Sequence, residues 1–287
     1  MRRYEPALMA PPPGSAKPTI ERETVTSAVV NANGSPGMLA AVTAADMAIK
    51  KLGAQPGPIA IVGAYNTGTS SGQLAFYCER IAKKGYIGIA IANSPEFVAA
   101  APGAKAVFGT NPIAFGIPRS VGPPLTFDMA TSAIALFGVL TSKAKGEPLP
   151  DGVAYGRDGG FTTDAAEALD GGAIATFGGH KGAGLSLMFE LLAGVLPGGA
   201  VLGREVKKTA KSWGHTFIAI DASGLGDDFA SKAHSVMTAV KESGPAIRLP
   251  GENSAKIAAE RTAAGKMPLP KAIWDSICKT AEEGLPK

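Results

Sequence analysis

The segment best suited to chemistry is residues 176–196, TFGGHKGAGLSLMFELLAGVL, where a glycine-rich turn runs directly into an apolar stretch. His180 and Lys181 stand between Gly179 and Gly182, so a ligand could approach the main chain closely while an imidazole and an ammonium group reach it from the side. Free N–H groups at the start of a helix attract anions. The turn is therefore a candidate site for a small anionic ligand. A helix N-terminus that merely needs glycine and carries a solvated lysine is the alternative.

The helix that follows this turn is predicted to be anchored in the core. Large apolar side chains recur with the i, i+3, i+4 and i+7 spacing typical of one buried helix face. These residues are Leu185, Leu187, Met188, Leu191, Leu192, Val195 and Leu196.

A second polar turn, Thr110-Asn111-Pro112, comes immediately before a short apolar strand predicted over residues 113–117. A residue that precedes proline favours an extended main chain, which predicts that the Asn111 side chain is held out from the turn. Its amide could then bind a polar ligand. Capping of the turn is the alternative.

Asp128 follows a strand-like run in LTFDMATS and precedes a helix predicted to begin near Ala133. In that position a carboxylate could cap the helix by accepting main-chain N–H bonds. It could instead orient an imidazole and stabilise its protonated form. The local sequence leaves both roles open.

The remaining reactive residues have structural interpretations. His215 lies at the start of a strand predicted over residues 213–221, in apolar surroundings, and is interpreted as structural. Cys78 and Cys278 have no metal-ligand spacing and form no disulfide framework. We therefore expect two reduced thiols and no metal site.

Strands and helices that would position these residues alternate along the chain, which predicts a mixed α/β domain. A strand or hairpin is predicted over residues 19–31, strands over 59–64 and 87–92, and helices over 39–52, 73–84, 227–242, 254–264 and 271–283. The polar loop 66–72 would lie at the end of a strand, where ligands often bind. In the last helix, Ile273, Trp274 and Ile277 are expected to face inward.

Composition argues against several functional classes. With 287 residues, of which 45% are hydrophobic and 18% charged, the chain is expected to fold around a sizeable core. The formal charge of +4 is dispersed and lacks an interleaved aromatic platform, so no nucleic-acid partner is expected. No stretch reaches about 18 uninterrupted apolar residues and the N-terminus lacks the apolar segment of a signal peptide, which predicts a cytoplasmic protein without a membrane partner.

Five blocks of sequence, taken in order, resemble the type-2 malate/L-lactate dehydrogenase family over nearly the whole chain. They are GTNPIAFGIPR, FDMATS, GGHKGAGLSLMFELLAGVL, GHTFIAID and the terminal PGE followed by PLPKAIWD. The resemblance implies NAD(P)-dependent hydride transfer between a malate- or lactate-like 2-hydroxy acid and its 2-oxo acid, or reduction of a cyclic imine. It also implies a non-Rossmann α/β fold with a mixed or largely antiparallel sheet flanked by helices, and a homodimer with the cofactor near the subunit interface.

The resemblance also assigns roles to individual residues. Asp128 would be the charge partner of the catalytic histidine, and Arg3, Ser70, Thr110 and Asn111 would bind substrate. The residues that would line the NAD or NADP site are Pro112, Met129, Ala130, His180, Lys181, Gly182, Gly184 and Leu185. The chain would be a single family unit, with a cofactor-binding core over residues 59–200 and a discontinuous substrate and dimerisation part over residues 1–58 and 201–287.

The sequence departs from the family pattern in two places. The family's catalytic histidine belongs to an N-terminal Ser-His-Gly, and Met1-Arg2-Arg3-Tyr4 matches the residues after it, so the histidine would lie before Met1 and the usual N-terminal helices would be absent. Ser70 stands where the family has a histidine that contacts substrate or cofactor.

These departures leave three hypotheses. The chain is an active reductase, a catalytically impaired cofactor-binding remnant, or a phosphate-ligand binding protein without a redox role. The choice between NAD and NADP is also open, and three arginines are conceivable partners for a 2′-phosphate: Arg119, Arg157 and Arg204.

Overall fold

The computed structural model describes residues 12–54, 57–202, 213–269 and 271–284, so Arg3 and Arg204 lie outside the described residues. The strands are β1 (Thr19–Glu23), β2 (Ser27–Asn31), β3 (Ile59–Thr67), β4 (Ile87–Ala92), β5 (Val98–Ala99), β6 (Ala106–Phe108), β7 (Ile113–Ile117), β8 (Leu125–Met129), β9 (Ala154–Tyr155), β10 (Ala173–Ile174) and β11 (Trp213–Ile220). The helices are α1 (Gly37–Ala54), α2 (Ala75–Ala82), α3 (Leu136–Lys145), α4 (Ala165–Leu169), α5 (His180–Phe189), α6 (Phe229–Glu242), α7 (Glu252–Ala264) and α8 (Lys271–Glu283). A π-helical segment, Glu190–Val195, continues α5.

The larger of two sheets has seven strands in the order β1-β2-β3-β11-β4-β7-β8. Parallel pairing joins β2 to β3, and the other neighbours in this sheet pair antiparallel. The late strand β11 lies in the middle of the sheet, between β3 and β4. The prediction of a non-Rossmann, largely antiparallel mixed α/β fold is confirmed.

One face of this sheet holds the main core, under α1 and α2. The register places Val62, Phe217, Ala90 and Ala114 in one row across β3, β11, β4 and β7, and all four are fully buried. The row continues on β8 with Asp128. The pairing that builds the core therefore also brings a carboxylate onto the helix-covered face.

Helix α2 lies close to the sheet because two strands carry glycine beneath it. A Cβ on Gly116 would collide with the carbonyl of Cys78 in α2, and a Cβ on Gly88 would press on Ile81 and on the same carbonyl. Without these side chains the helix can approach the strands directly. This close approach places the start of α2 within reach of β8.

The opposite face of the large sheet is only partly covered. A row of large apolar side chains crosses five strands there, formed by Ile61, Ile218, Ile89, Phe115 and Phe127. Ile61 and Phe127 are exposed. Nearer the other end of the strands, Phe189 and Ala193 of the α5 region pack on Ile91. Among the described residues, the α5 region thus covers one part of this face, while Ile61 and Phe127 at its edges stay exposed.

The smaller sheet has the order β6-β5-β10-β9 and a core of its own. Its strands bury Val98, Phe108 and Ile174 together with Val139 of α3 and Ala168 of α4. The short helix α4 is capped by Asp164, which accepts the N–H of Ala166 at 2.7 Å.

The strands and helices predicted around the larger sheet are present, but several begin or end at other residues than predicted. The hairpin of residues 19–31 is confirmed, β3 extends to Thr67, and α2 is shorter than predicted. In α8 the prediction was wrong for Trp274 and Ile277, which are exposed because no described residue covers them. The Ile273 side chain lies outside the described residues. Among the described helices none combines the length and apolarity needed to cross a membrane.

Candidate active site

Asp128 lies inside β8, and the helix after it begins only at Leu136. Its Oδ2 accepts a hydrogen bond from the N–H of Ala75, 2.9 Å away, so it caps α2, which lies 53 residues earlier in the chain. Burial raises the pKa of the Asp128 carboxyl, while the N–H groups of Ala75 and Leu74 lower it. A carboxylate has two oxygens, so capping is compatible with a second role as a charge partner.

Asn111 differs from its expected conformation. Its φ angle is +35°, in the left-handed region, and its side chain is fully buried. Its Nδ2 donates to the Ser186 carbonyl at 3.0 Å and to Glu190 Oε2 at 3.2 Å. The extended conformation and outward side chain were wrong, because two buried acceptors on the facing helix hold the amide inward. A contact between Asn111 and substrate would have to come from its main chain.

Thr131, two residues beyond β8, holds the neighbouring segments together and is fully buried. Its N–H donates to the Thr110 carbonyl at 2.9 Å, and its hydroxyl lies 3.0 Å from the carbonyls of both Thr110 and Asn111. Its own carbonyl accepts the N–H of Phe177 at 3.0 Å, and Ser186 Oγ donates to its hydroxyl at 2.7 Å. The polar turn, the end of β8 and the start of α5 are therefore fixed side by side.

Pro112, Met129 and Ala130 form the partly exposed edge of this junction. Met129 pairs with Ile113 across β8 and β7, and the Pro112 carbonyl accepts the N–H of Ala92 at 3.1 Å. Three predicted cofactor residues thus lie together at one end of the sheet, beside the polar turn.

The turn before α5 contains glycines at positions where another residue would be strained or would collide with the main chain. Gly178 and Gly179 have φ angles of 56° and 60°, which disfavour other residues. A Cβ on Gly182 would collide with the Phe177 carbonyl and lie 2.9 Å from that of Thr131. The glycines therefore allow the helix to start directly against the Thr131 junction.

The N-terminus of α5 faces solvent, and its N-cap residue Gly179 has no side chain to offer the first turn. The N–H groups of Lys181, Gly182 and Ala183 donate to the carbonyls of Gly178, Phe177 and Gly179, so among the first four N–H groups only that of His180 lacks a hydrogen-bond partner within the described residues. His180, Lys181, Gly184 and Leu185 are exposed there, and within the described parts of the chain Lys181 forms no ion pair. The helix dipole and the ammonium group both favour an anion at this position.

The large apolar positions of α5 and its π-helical continuation face outward, which contradicts the predicted core face. They are 38–60% exposed, and they are Leu185, Leu187, Met188, Leu191, Leu192, Val195 and Leu196. The buried positions are mostly small or polar: Gly182, Ser186, Phe189, Glu190, Ala193 and Gly194. The prediction was wrong because the helix lies too close to the sheet for large side chains, since a Cβ on Gly214 of β11 would collide with the Ala193 carbonyl.

Ser70 lies in the loop that leads into α2. It is buried, and its Oγ accepts the N–H of Gly72 at 3.2 Å. The next residue, Ser71, accepts the Tyr77 hydroxyl at 2.6 Å through its carbonyl. Because Asp128 caps the same helix, the Ser70 loop belongs to the Asp128 side of the site.

Two conceivable phosphate partners lie elsewhere. Arg119 follows the end of β7 opposite to Asn111, and this strand of five residues has a length of roughly 17 Å. Arg157 pairs with Asp170 on the surface beside the smaller sheet. His215 also stands apart, because it is fully buried in β11, and burial lowers its pKa to about 4.

Sequence reasoning missed Thr131, Ser186 and Glu190, which form the buried part of the junction. A signal for Glu190 was present, since it is the sole charged residue between Lys181 and Arg204. A single carboxylate in a long apolar stretch is expected to be buried with hydrogen-bond partners. Thr131 carries no comparable signal, because its contacts all come from distant parts of the chain.

The family model of malate/L-lactate dehydrogenase matches residues 12–278. The chain belongs to this family. The match extends over both sheets and the junction around Thr131, and it confirms the resemblance seen in the five sequence blocks.

Curated relatives agree with this assignment. L-sulfolactate dehydrogenase of Methanothermobacter thermautotrophicus is 38% identical over 241 residues, covering 82% of this chain and 69% of the relative. Malate/(S)-sulfolactate dehydrogenase of Methanothermus fervidus is 34% identical over 271 residues, covering 92% and 78%. The solved structure of malate dehydrogenase from Entamoeba histolytica has a TM-score of 0.85 at 27% identity, covering 95% of this chain and 81% of that one.

Membership makes the chain an oxidoreductase of this family, with NAD or NADP as cofactor. A relative from Chromohalobacter salexigens, 33% identical over 224 residues and covering 76% of this chain and 65% of its own, is named (2R)-3-sulfolactate dehydrogenase (NADP(+)). The hypothesis of a phosphate-ligand binding protein without a redox role is therefore wrong. The hypothesis of a catalytically impaired remnant gains no support, since these relatives are named as dehydrogenases.

Proposed function

We propose that this chain catalyses NAD(P)-dependent interconversion of a malate- or lactate-like 2-hydroxy acid and its 2-oxo acid. The observation that carries the proposal is the junction at Thr131. It fixes a solvent-exposed helix N-terminus beside a polar turn, at the end of a strand that carries a half-buried carboxylate. Such a site offers separate places for an anionic cofactor, for a polar substrate and for a proton-handling group.

The start of α5 suits the phosphates of the cofactor. A Cβ added to Gly179 would have nothing within 4 Å, so the surface before the helix is open. The helix dipole, the His180 N–H and the Lys181 ammonium would supply the attraction. The nicotinamide ring, when bound, supplies or accepts the hydride. The edge formed by Pro112, Met129 and Ala130 would hold that ring beside the polar turn.

The remaining roles belong to the substrate side. Asp128 would stabilise the protonated form of the imidazole that exchanges the hydroxyl proton. Arg3 would hold the substrate carboxylate in a bidentate grip, and Thr110 and Ser70 would border it. His180 is the exposed imidazole at the start of α5, and it is the first to test as an alternative proton donor.

Reduction of a cyclic imine is a second candidate reaction. Delta(1)-pyrroline-2-carboxylate reductase of Pseudomonas fluorescens is 51% identical over 120 residues, which cover 42% of this chain and 35% of the relative. A cyclic imine carboxylate and a 2-oxo acid both present a hydride acceptor next to a carboxylate. The same site could therefore accept either.

A second copy of the chain is the proposed partner of the outer face of α5. This face presents seven large apolar side chains to solvent, including Leu192 and Leu196. Contiguous apolar surface of this kind marks interaction sites in soluble proteins. This contact would extend the dimer interface from the proposed substrate and dimerisation part, residues 1–58 and 201–287, into the proposed cofactor core, residues 59–200. A cytoplasmic location is also a proposal.

The proposal is tested by following NADH and NADPH oxidation with a panel of 2-oxo acids and cyclic imine carboxylates. We expect turnover with at least one of them. Lys181→Ala should weaken cofactor binding about 10-fold, because one charge-assisted bond to phosphate is lost. Lys50→Ala, at an exposed lysine of α1, is the matched control and should bind as the unmodified chain does. Background turnover with every substrate at saturating cofactor would contradict the proposal.

A further inference from the structure

Glu190 is a buried carboxylate in the middle of the helix that begins with His180 and Lys181. It is the first residue of the π-helical segment Glu190–Val195, a distortion often found at functional sites. Burial raises the pKa of its carboxyl. Within the described parts of the chain it forms no ion pair. A buried carboxylate is costly, so its hydrogen bonds must hold it in place.

Three N–H donors from three separate loops converge on this carboxylate. Asn93 Nδ2 and the N–H of Leu202 each lie 3.2 Å from Oε1, and Asn111 Nδ2 lies 3.2 Å from Oε2. Asn93 is itself fixed, because its Oδ1 accepts the N–H of Gly214 at 2.7 Å. Glu190 therefore links the polar turn to β11, to the end of β4 and to the loop after the helix.

Because N–H donors reach both oxygens of Glu190, both oxygens must act as hydrogen-bond acceptors. A carboxylate accepts on both sides, whereas an amide of the same shape would present an NH₂ group to at least one N–H donor. Glu190 Oε2 is one of two buried acceptors that hold the side chain of the left-handed Asn111 inward, and the other is the Ser186 carbonyl at 3.0 Å.

We propose that Glu190 is a positioning residue, which acts through Asn111 to set the Thr110-Asn111-Pro112 turn against the cofactor. The inference rests on the proposed function, because it requires the turn to border the nicotinamide. Glu190 itself is buried behind the turn and touches no reacting atom. Asn111 Nδ2 also donates to the Ser186 carbonyl, and Thr131 holds the same turn, so removal of the Glu190 link should shift the turn without unfolding the chain.

The first experiment compares Glu190→Gln with Thr216→Val in the full chain. Thr216 Oγ1 donates to the Leu192 carbonyl at 2.6 Å, so the control loosens the same π-helical segment without changing a bond to Asn111. Dissociation constants for NADH and free energies of unfolding in urea are measured for both variants. We expect Glu190→Gln to weaken NADH binding about 10-fold and Thr216→Val to leave it within about 2-fold at a similar loss of stability.

A double-variant cycle tests whether Glu190 acts through Asn111. Asn111→Gly removes the amide and tolerates the left-handed main chain. We expect the double variant to bind NADH no more weakly than Asn111→Gly alone, because the two changes break the same link. Additive losses, or unchanged binding in Glu190→Gln, would overturn the inference. Failure of the unmodified chain to bind NADH and NADPH would instead overturn the proposed function.

Discussion

Acid should destabilise this fold through His215, independently of any catalytic role. The imidazole is fully buried in β11, stacked at 6.2 Å on Phe217, and within the described residues neither ring nitrogen has a hydrogen-bond partner. Burial lowers its pKa from an ordinary value of 6.5 to about 4. The unfolded chain therefore binds a proton at a pH where the folded chain does not.

The sign and size of the effect follow from that difference. Because the folded pKa is the lower one, the contribution to stability is complete above the unfolded pKa, declines as the pH falls, and is lost below about pH 4. At about 1.4 kcal/mol per pKa unit, the whole contribution is about 3 kcal/mol, of which about 2 kcal/mol is lost by about pH 5.

Other groups titrate in the same range, so the measurement needs a variant. Burial raises the carboxyl pKa values of Asp128 and Glu190, which gives the opposite sign, since their contribution is lost as pH rises. His215→Leu removes the titrating group while keeping a side chain of similar size. Urea unfolding of the unmodified chain and of this variant, followed by circular dichroism at several pH values and constant ionic strength, isolates the histidine.

The unmodified chain should lose stability relative to His215→Leu by about 2 kcal/mol between pH 7 and pH 5. The difference at pH 7 alone does not bear on the prediction, because it also reflects packing. A difference between the two proteins that stays constant with pH would refute the reasoning. So would direct titration of His215 near 6.5 in the folded chain.

Two further predictions concern the site and its outer surface. Asp128→Asn keeps an oxygen for the Ala75 N–H but removes the charge, so turnover should fall on the order of 10²-fold or more with little loss of stability. Asp128→Ala should lower turnover and also cost about 1 kcal/mol of unfolding free energy, because the cap is lost. Equal turnover in Asp128→Asn and the unmodified chain would exclude the charge-partner role. Leu192→Glu should weaken self-association at least about 10-fold in sedimentation velocity, because it places a carboxylate on the proposed interface. Val236→Glu, on the exposed surface of α6, is the control and should leave self-association unchanged. An unmodified chain that is monomeric at micromolar concentration would contradict the proposed homodimer.

The elements that could be predicted from sequence are those whose signals are local. The hairpin of β1 and β2, the buried strand β4 and the short helix α4 each carry their turn or cap residues within a few positions. The fold type followed from their alternation together with the family resemblance. The order of strands in the large sheet did not follow from local signals, because β11 enters its centre from far along the chain.

The site could be predicted as a set of segments but not as a set of contacts. The polar turn, the end of β8 and the start of α5 were each identified from their composition. Asp128 caps a helix 53 residues away, and Asn111 takes its left-handed conformation from acceptors 75 and 79 residues away. Local preferences, such as the extended main chain before proline, lose to such long-range bonds when the bonded groups are buried.

The orientation of α5 shows why hydrophobic periodicity identifies a stripe without identifying what covers it. The helix must approach β11 closely enough for Glu190 and Ser186 to reach the loops, and apart from Phe189 only small or polar side chains are buried at that distance. The large apolar side chains are then confined to the opposite side of the same helix, where no described residue buries them fully. One constraint, the buried polar junction, thus accounts both for the geometry of the site and for the apolar surface behind it. It follows that a substitution on the outer surface beyond Leu185 can alter cofactor binding only by moving the helix as a whole, whereas a substitution at Glu190 acts on the turn directly.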